Sequence, residues 1–119
     1  MKPNISIQYN EDITIVTFTD EQILEDKDIR ALEDSILSVV EQGGPIKLIL
    51  DFCNVKFLSS MVLGLLIRIS KRVYENEGKL ALCNISDKIY EIFKITRLTN
   101  IFDIFEDVED ATDELNKSG

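Results

Sequence analysis

An α/β fold is what this sequence predicts: one mixed β-sheet of about five strands packed against about four helices, in the order β-β-α-β-α-β-α-β-α. Three observations predict it. Near the start of the chain apolar residues alternate with polar ones, the period of a half-buried strand. Further on they recur every three or four positions, the period of a helix. Two short apolar runs, IKLILDF and KLALC, each follow a helical stretch, as buried strands of a parallel sheet do. With 119 residues, 45% of them hydrophobic, the chain reads as a single domain over 1–119 with its core over about residues 5–115.

Ile5–Tyr9 and Ile13–Phe18 alternate cleanly, and the short Asn10-Glu11-Asp12 link makes them a hairpin. Residues 27–42 read as a helix, with Ile29, Leu32, Ile36, Val39 and Val40 at helical spacing and Asp26 or Asp28 placed to cap it. Gly43-Gly44-Pro45 stops it. Ile46–Phe52 is then a buried strand and Cys53–Leu58 a loop. The second helix starts at Ser59 or Ser60, where a serine hydroxyl can satisfy first-turn N–H groups, and ends before Gly78. Lys79–Cys83 is a strand. Ser86–Arg97 is an amphipathic helix, apolar at Ile89, Ile92, Phe93 and Ile95. Ile101–Phe105 is a short strand with its apolar side chains on one face, and Glu109–Lys117 an acidic helix.

Composition removes several kinds of function. The chain has no histidine and two cysteines, Cys53 and Cys83, so the usual zinc spacings and any histidine-based nucleophile relay are absent, and no metal or cofactor is expected. Both cysteines read as buried, reduced thiols at strand ends. With 22 acidic against 13 basic residues, a net −9, the chain is a poor nucleic-acid binder and a better protein binder. No signal-peptide pattern opens it, and its longest apolar stretch, Met61–Ile67, is far shorter than the ~20 residues of a membrane span, so a cytoplasmic protein is expected. Charge is uneven: residues 1–44 hold ten acids and three bases, 45–102 five and nine, and 103–119 seven and one. The middle of the chain is locally basic. Arg68, Lys71 and Arg72 share one exposed helix face, suited to solvent or to an acidic partner.

Two places on this frame could carry chemistry. Asp51, near the end of a central strand, together with Asp20-Glu21 is loosely similar to the acidic Mg²⁺ pocket of a receiver domain. However, only one helix and no strand separate the acidic pair from Asp51, and no Lys-Pro-like turn follows Lys79–Cys83, so Asp51 reads as a strand-end acid facing water. The other place is Ser59-Ser60, where a phosphoryl group would lie against the positive end of a helix dipole. Simple capping explains the same residues, and spacing alone does not separate the two.

From about Ile5 to Thr112 the chain resembles a STAS domain of the anti-sigma factor antagonist family. Phe57, Leu63, Gly64, Gly78, Asn84, Ser86, Ile89, Phe93, Thr96, Leu98, Ile101 and Asp103 match that family's pattern without a gap, and Glu21 matches upstream, where Asp20-Glu21-Gln22-Ile23 replaces Gly-Glu-Ile/Leu-Asp. In this register Ser60 falls on the serine phosphorylated in the family, with Ser59 as the alternative. Ser59 stands where the family has Asp, Met61 where it has Ser or Thr, and Val62 where it has Gly.

The resemblance implies a bacterial partner-switching protein in signal transduction and transcription regulation. Its unphosphorylated form would bind an anti-sigma factor that is also a serine kinase, releasing a sigma factor. Phosphorylation at Ser60 would end binding, and a PP2C-type phosphatase would reset the cycle. The domain would be ligand and substrate, not an enzyme. Its contact surface would be Asp20–Leu24, Asn54–Leu58 and Ser59–Val62, with Glu21, Asn54, Phe57, Leu58, Ser59, Ser60, Met61 and Val62 touching the partner. The substitutions around Ser60 sustain an alternative, a non-phosphorylated STAS subunit that binds an ATPase or a transporter component.

Overall fold

A computed structural model of the chain describes residues 5–23, 26–42 and 44–117. β1 (Ile5–Asn10) and β2 (Ile13–Phe18) form the expected antiparallel hairpin, Ile5 opposite Phe18 and Asn10 opposite Ile13. β3 (Gln22–Ile23) follows, then α1 (Asp26–Val40), β4 (Lys47–Asp51), β5 (Phe57–Leu58), α2 (Ser60–Glu75), β6 (Lys79–Cys83), α3 (Asp87–Ile95), β7 (Asp103–Phe105) and α4 (Val108–Lys117). The main sheet runs β1-β2-β4-β6-β7 and is parallel apart from β1.

Two-residue periodicity gives the sheet two apolar faces. Val16, Phe18, Leu48, Leu50, Leu80 and Leu82 point to one of them. α1, α2 and α3 cover this face with Leu32 and Ile36, with Leu65, Leu66 and Ile69, and with Ile89 and Phe93. Ile15, Ile49, Ala81 and Cys83 point to the other face, which α4 covers with Ala111 and Leu115. β4 and β6 are therefore buried on both sides, which is why KLILD and KLALC read as near-continuous apolar runs.

Several expectations are corrected. Residues 53–58 are not simply a loop, because Phe57–Leu58 pairs with Gln22–Ile23 as a separate two-stranded parallel sheet. Two residues are too few to show a period, so no strand signal was available. Asp28 lies inside the first turn of α1 and does not cap it, while the side chain of Asp26, like Gly43, lies outside the described residues. Ile95 is 79% exposed and takes no part in the core. Arg97 then adopts a left-handed conformation (φ 63), which ends the helix and begins a 3₁₀ turn over Leu98–Asn100. That turn absorbs Ile101, which is exposed, and delays the last strand to Asp103.

The connections constrain two positions in opposite ways. A Cβ on Gly78 would sit 2.5 Å from the Ile46 carbonyl oxygen, so only glycine lets the turn before β6 pass the start of β4. Arg97 bears the steric cost of a left-handed conformation that glycine would adopt freely. In urea unfolding, Gly78→Ala is expected to lower stability by ~1–3 kcal/mol through backbone displacement. Arg97→Gly should raise it by ~1 kcal/mol through relief of the strained φ.

Candidate partner-binding site

The site begins at the carboxyl end of β4. Asp51 is buried, 7% exposed, and its Oδ1 accepts the Cys53 N–H at 3.0 Å and the Asn84 side-chain amide at 2.9 Å. It therefore does not face water as expected, and it is already occupied in holding two loops. Asn84 sits just past β6 in a left-handed conformation (φ 56), which asparagine tolerates, and its N–H donates to Glu106 beyond β7. One carboxylate thus ties together the turns that leave two adjacent strands.

From there the chain is bonded to the loop after β2. The Asn54 amide donates to the Phe18 carbonyl at 3.0 Å. The N–H groups of Lys56 and Phe57 both donate to the Glu21 carbonyl, at 2.8 and 3.0 Å, and the β3–β5 pairing continues that ladder. The Glu21 carboxylate faces Lys56 Nζ at 3.5 Å, not Asp51, so no receiver-like acidic pocket assembles. The paired loops deliver the chain to α2. Ser59 is the N-cap in extended conformation (φ −88, ψ 165), but its hydroxyl makes no capping bond. Its Oγ is buried without a partner, contrary to the expected role. Ser60, the first helical residue, is exposed. The first turn of α2 contains no acidic residue, and the N–H groups of Ser60 and Met61 precede the first intrahelical bond.

A model of the STAS domain matches residues 4–111. The chain belongs to the STAS domain family. Its fold is that of an anti-sigma-factor antagonist (STAS) domain protein from Planctomyces limnophilus, at 21% identity and TM-score 0.86 over 94% of this chain and 97% of that one. An anti-sigma factor antagonist from Mycobacterium paratuberculosis is similar at 20% identity and TM-score 0.82, covering 94% and 92%. The phosphorylated form of the Bacillus cell fate determinant SpoIIAA is similar at 16% and 0.71, covering 92% and 97%. At such identities these likenesses concern the fold.

In this STAS domain the named site residues divide by burial. Phe57, Ser60 and Met61 are exposed around the start of α2, with Leu58 partly covered beside them. Glu21 and Asn54 lie on the same loops but are engaged in holding them. Val62 is fully buried in the core and offers no contact surface. Leu24 lies outside the described residues. A group that the sequence did not indicate is Lys88, in the first turn of α3, whose ammonium lies 4.6 Å from the centre of the Phe57 ring. No spacing rule links two residues on different elements, so only the packing reveals it.

The basic face of α2 is exposed, as expected, and two of its three residues pair with acids from or just after α1. Arg68 donates from Nε and a terminal nitrogen to the two carboxylate oxygens of Glu33 at 2.7 and 2.8 Å, and Arg72 pairs with Glu41. The hydrogen bonds from Arg68 hold the Glu33 carboxyl below its ordinary range. The Arg68 and Arg72 pairs link α2 to α1 and to the turn just after it at the exposed surface. The cysteines also differ from expectation. Cys83 is buried, but Cys53 is exposed because it follows the β4 end in a turn. Partial burial and then the neighbouring Asp51 carboxylate raise the Cys53 thiol above its ordinary value, and burial pushes Cys83 up to about 12.

Two sets of measurements check this geometry. Ser59→Ala removes a buried hydroxyl that has no partner, so stability should stay level or rise by ~1 kcal/mol. Ser86→Ala removes a cap that accepts the Ile89 N–H at 3.2 Å and should lose ~1 kcal/mol in the same urea assay. Iodoacetamide should alkylate Cys53 in the native protein, faster as pH rises, and reach Cys83 only after unfolding. Because folding raises the Cys83 value from 9.0 to about 12, its contribution to stability is present below pH 9 and is lost as pH climbs towards 12. Denaturant midpoints across that window should fall.

Proposed function

We propose that this STAS domain is an anti-sigma factor antagonist that works by partner switching, with Ser60 as the switched residue. One observation carries the reading: of two adjacent serines at the start of α2, Ser60 is exposed on a short surface that also presents Phe57 and Met61, while the Ser59 hydroxyl is buried. The unphosphorylated surface would dock an anti-sigma factor that also acts as serine kinase. Phe57 offers an aromatic anchor steadied by Lys88, and Met61 an adaptable apolar contact.

The charge arithmetic supports Ser60 as the switch. A phosphoryl group there adds about −1.5 to −2 charges at pH 7. The start of α2 tolerates this in the free domain, since the helix dipole is positive there and no acid occupies the first turn. In a docked complex the same dianion is desolvated against the partner, and the difference between free and bound states is what ends binding. A PP2C-type phosphatase would restore the hydroxyl. In this cycle the domain is ligand and substrate, and catalysis belongs to its partners. The phosphorylated form recorded for Bacillus SpoIIAA supports the reading at the level of a shared fold. No helix among the described residues is long and apolar enough to cross a membrane, and a cytoplasmic setting accords with that reading.

A second reading, a STAS subunit that binds an ATPase or transporter component without being phosphorylated, is favoured by Ser59 and Val62, which stand where the family has Asp and Gly. Intact-mass measurement after incubation with the cognate kinase and ATP separates the two. Wild type and Ser59→Ala should each gain one phosphoryl group and Ser60→Ala none. No gain on wild type would favour the second reading, and loss of the gain in Ser59→Ala alone would move the site.

A further inference from the structure

The outer edge of β1 is built differently from the rest of the surface. β1 bonds to β2 on one side only and so ends the five-stranded sheet. The two-residue turn closes on Asn10 and Ile13 as a hydrogen-bonded pair. The alternation of an antiparallel ladder then points the N–H and C=O groups of Ser6, Gln8 and Asn10 at β2, and those of Ile5, Ile7 and Tyr9 outward. The same three residues carry the strand's apolar side chains. Ile5 packs against the core, whereas Ile7 is 37% and Tyr9 64% exposed. One edge therefore offers backbone donors, backbone acceptors and apolar side chains from the same positions.

Edges of this kind are ordinarily blunted by lysine, proline, an inward charge, a bulge or a short strand. β1 has none of these. Its residues, ISIQYN, are uncharged in a chain of which 29% is charged, and its register with β2 is unbroken over six residues. The opposite edge, β7, is three residues long and begins with the exposed Asp103.

We propose that β1 pairs with β1 of a second copy of this chain, antiparallel about a two-fold axis at Ile7, joining two five-stranded sheets into one. Antiparallel pairing of identical strands is self-complementary, so the contact closes as a dimer and leaves no repeating edge. In this register Ile7 faces Ile7 of the partner subunit, and Tyr9 faces Ile5 of the partner subunit, an aromatic against a β-branched side chain. An uncharged β1 places no like charges against each other at the contact, while the net −9 of each copy opposes the approach and makes pairing stronger as salt rises. Six residues of edge bury less than the ~1,200–2,000 Å² of a stable interface, so the dimer is weak and depends on concentration.

Sedimentation equilibrium of the full chain from micromolar to millimolar concentration tests the pairing. The mass should rise from 13.6 kDa towards twice that value. Ile7→Lys sets two ammonium groups opposite each other across the axis, and Tyr9→Pro removes an outward N–H without touching the β2 ladder. Each should weaken dimerisation at least tenfold. Amide exchange on wild type gives a readout that needs no variant: the Ile7 and Tyr9 amides should gain protection with concentration, while Gln8 and Asn10 stay unchanged. A mass fixed at 13.6 kDa throughout would overturn the proposal. So would dimerisation undiminished in both variants, or protection gained on another element in place of Ile7 and Tyr9.

Discussion

The arrangement at the start of α2 depends on one buried carboxylate. Asp51 ends β4 inside the protein, and an acid placed there is tolerated because Cys53 and Asn84 donate to it. That commitment sets the direction in which the chain leaves the sheet. Asn54 then reaches Phe18, Lys56 and Phe57 reach the Glu21 carbonyl, and the short β3–β5 ladder fixes the approach to α2. Without partners for Asp51 the turn would have to reorganise, and the surface carrying Phe57, Ser60 and Met61 would move with it.

What holds that surface is separate from what it presents. α2 is fixed by its buried stripe, Val62, Leu65, Leu66, Ile69 and Val73, and by the Arg68 and Arg72 pairs to α1. Exposed pairs of this kind contribute ~0–1 kcal/mol each, so the apolar stripe carries the packing and the arginines set its alignment. The presented residues lie on the opposite side of the first turn and contribute little to the core. A change of charge at Ser60 therefore leaves the packing of α2 undisturbed. The unpartnered Ser59 hydroxyl is a local exception, a polar group retained next to Ser60 with no structural return.

Much of this was legible in the sequence because burial imposes a period. β2 and β6 have the boundaries that alternation and apolar runs indicate, and the helices differ from expectation by a few residues at their ends. The serine pair's place at the start of α2 was legible from the residues, and the choice of Ser60 as the candidate came from the register of the family pattern. The misses share a cause. The β3–β5 ladder is two residues long, the Phe57–Lys88 contact joins distant elements, and the Arg68–Glu33 pair links two helix faces that each look like solvated surface. Ile95 is three residues after Ile92 but turns off the face that Ile89 and Phe93 bury, and it is exposed.

The sequence by itself determined the order of the main-sheet strands and the helices, the sides of the strands that are buried and the position of a serine pair at a helix start, since each follows from local periodicity and from the residue types that start helices. Only the tertiary structure decided which serine is accessible, that Asp51 is a buried tie and not a water-facing acid, that Arg68 and Arg72 pair with acids from or just after α1, and that α4 covers the second face of the sheet. These are properties of residues far apart in the chain. Burial and pairing arise when elements meet, and a one-dimensional pattern contains the tendency to meet but not the partner.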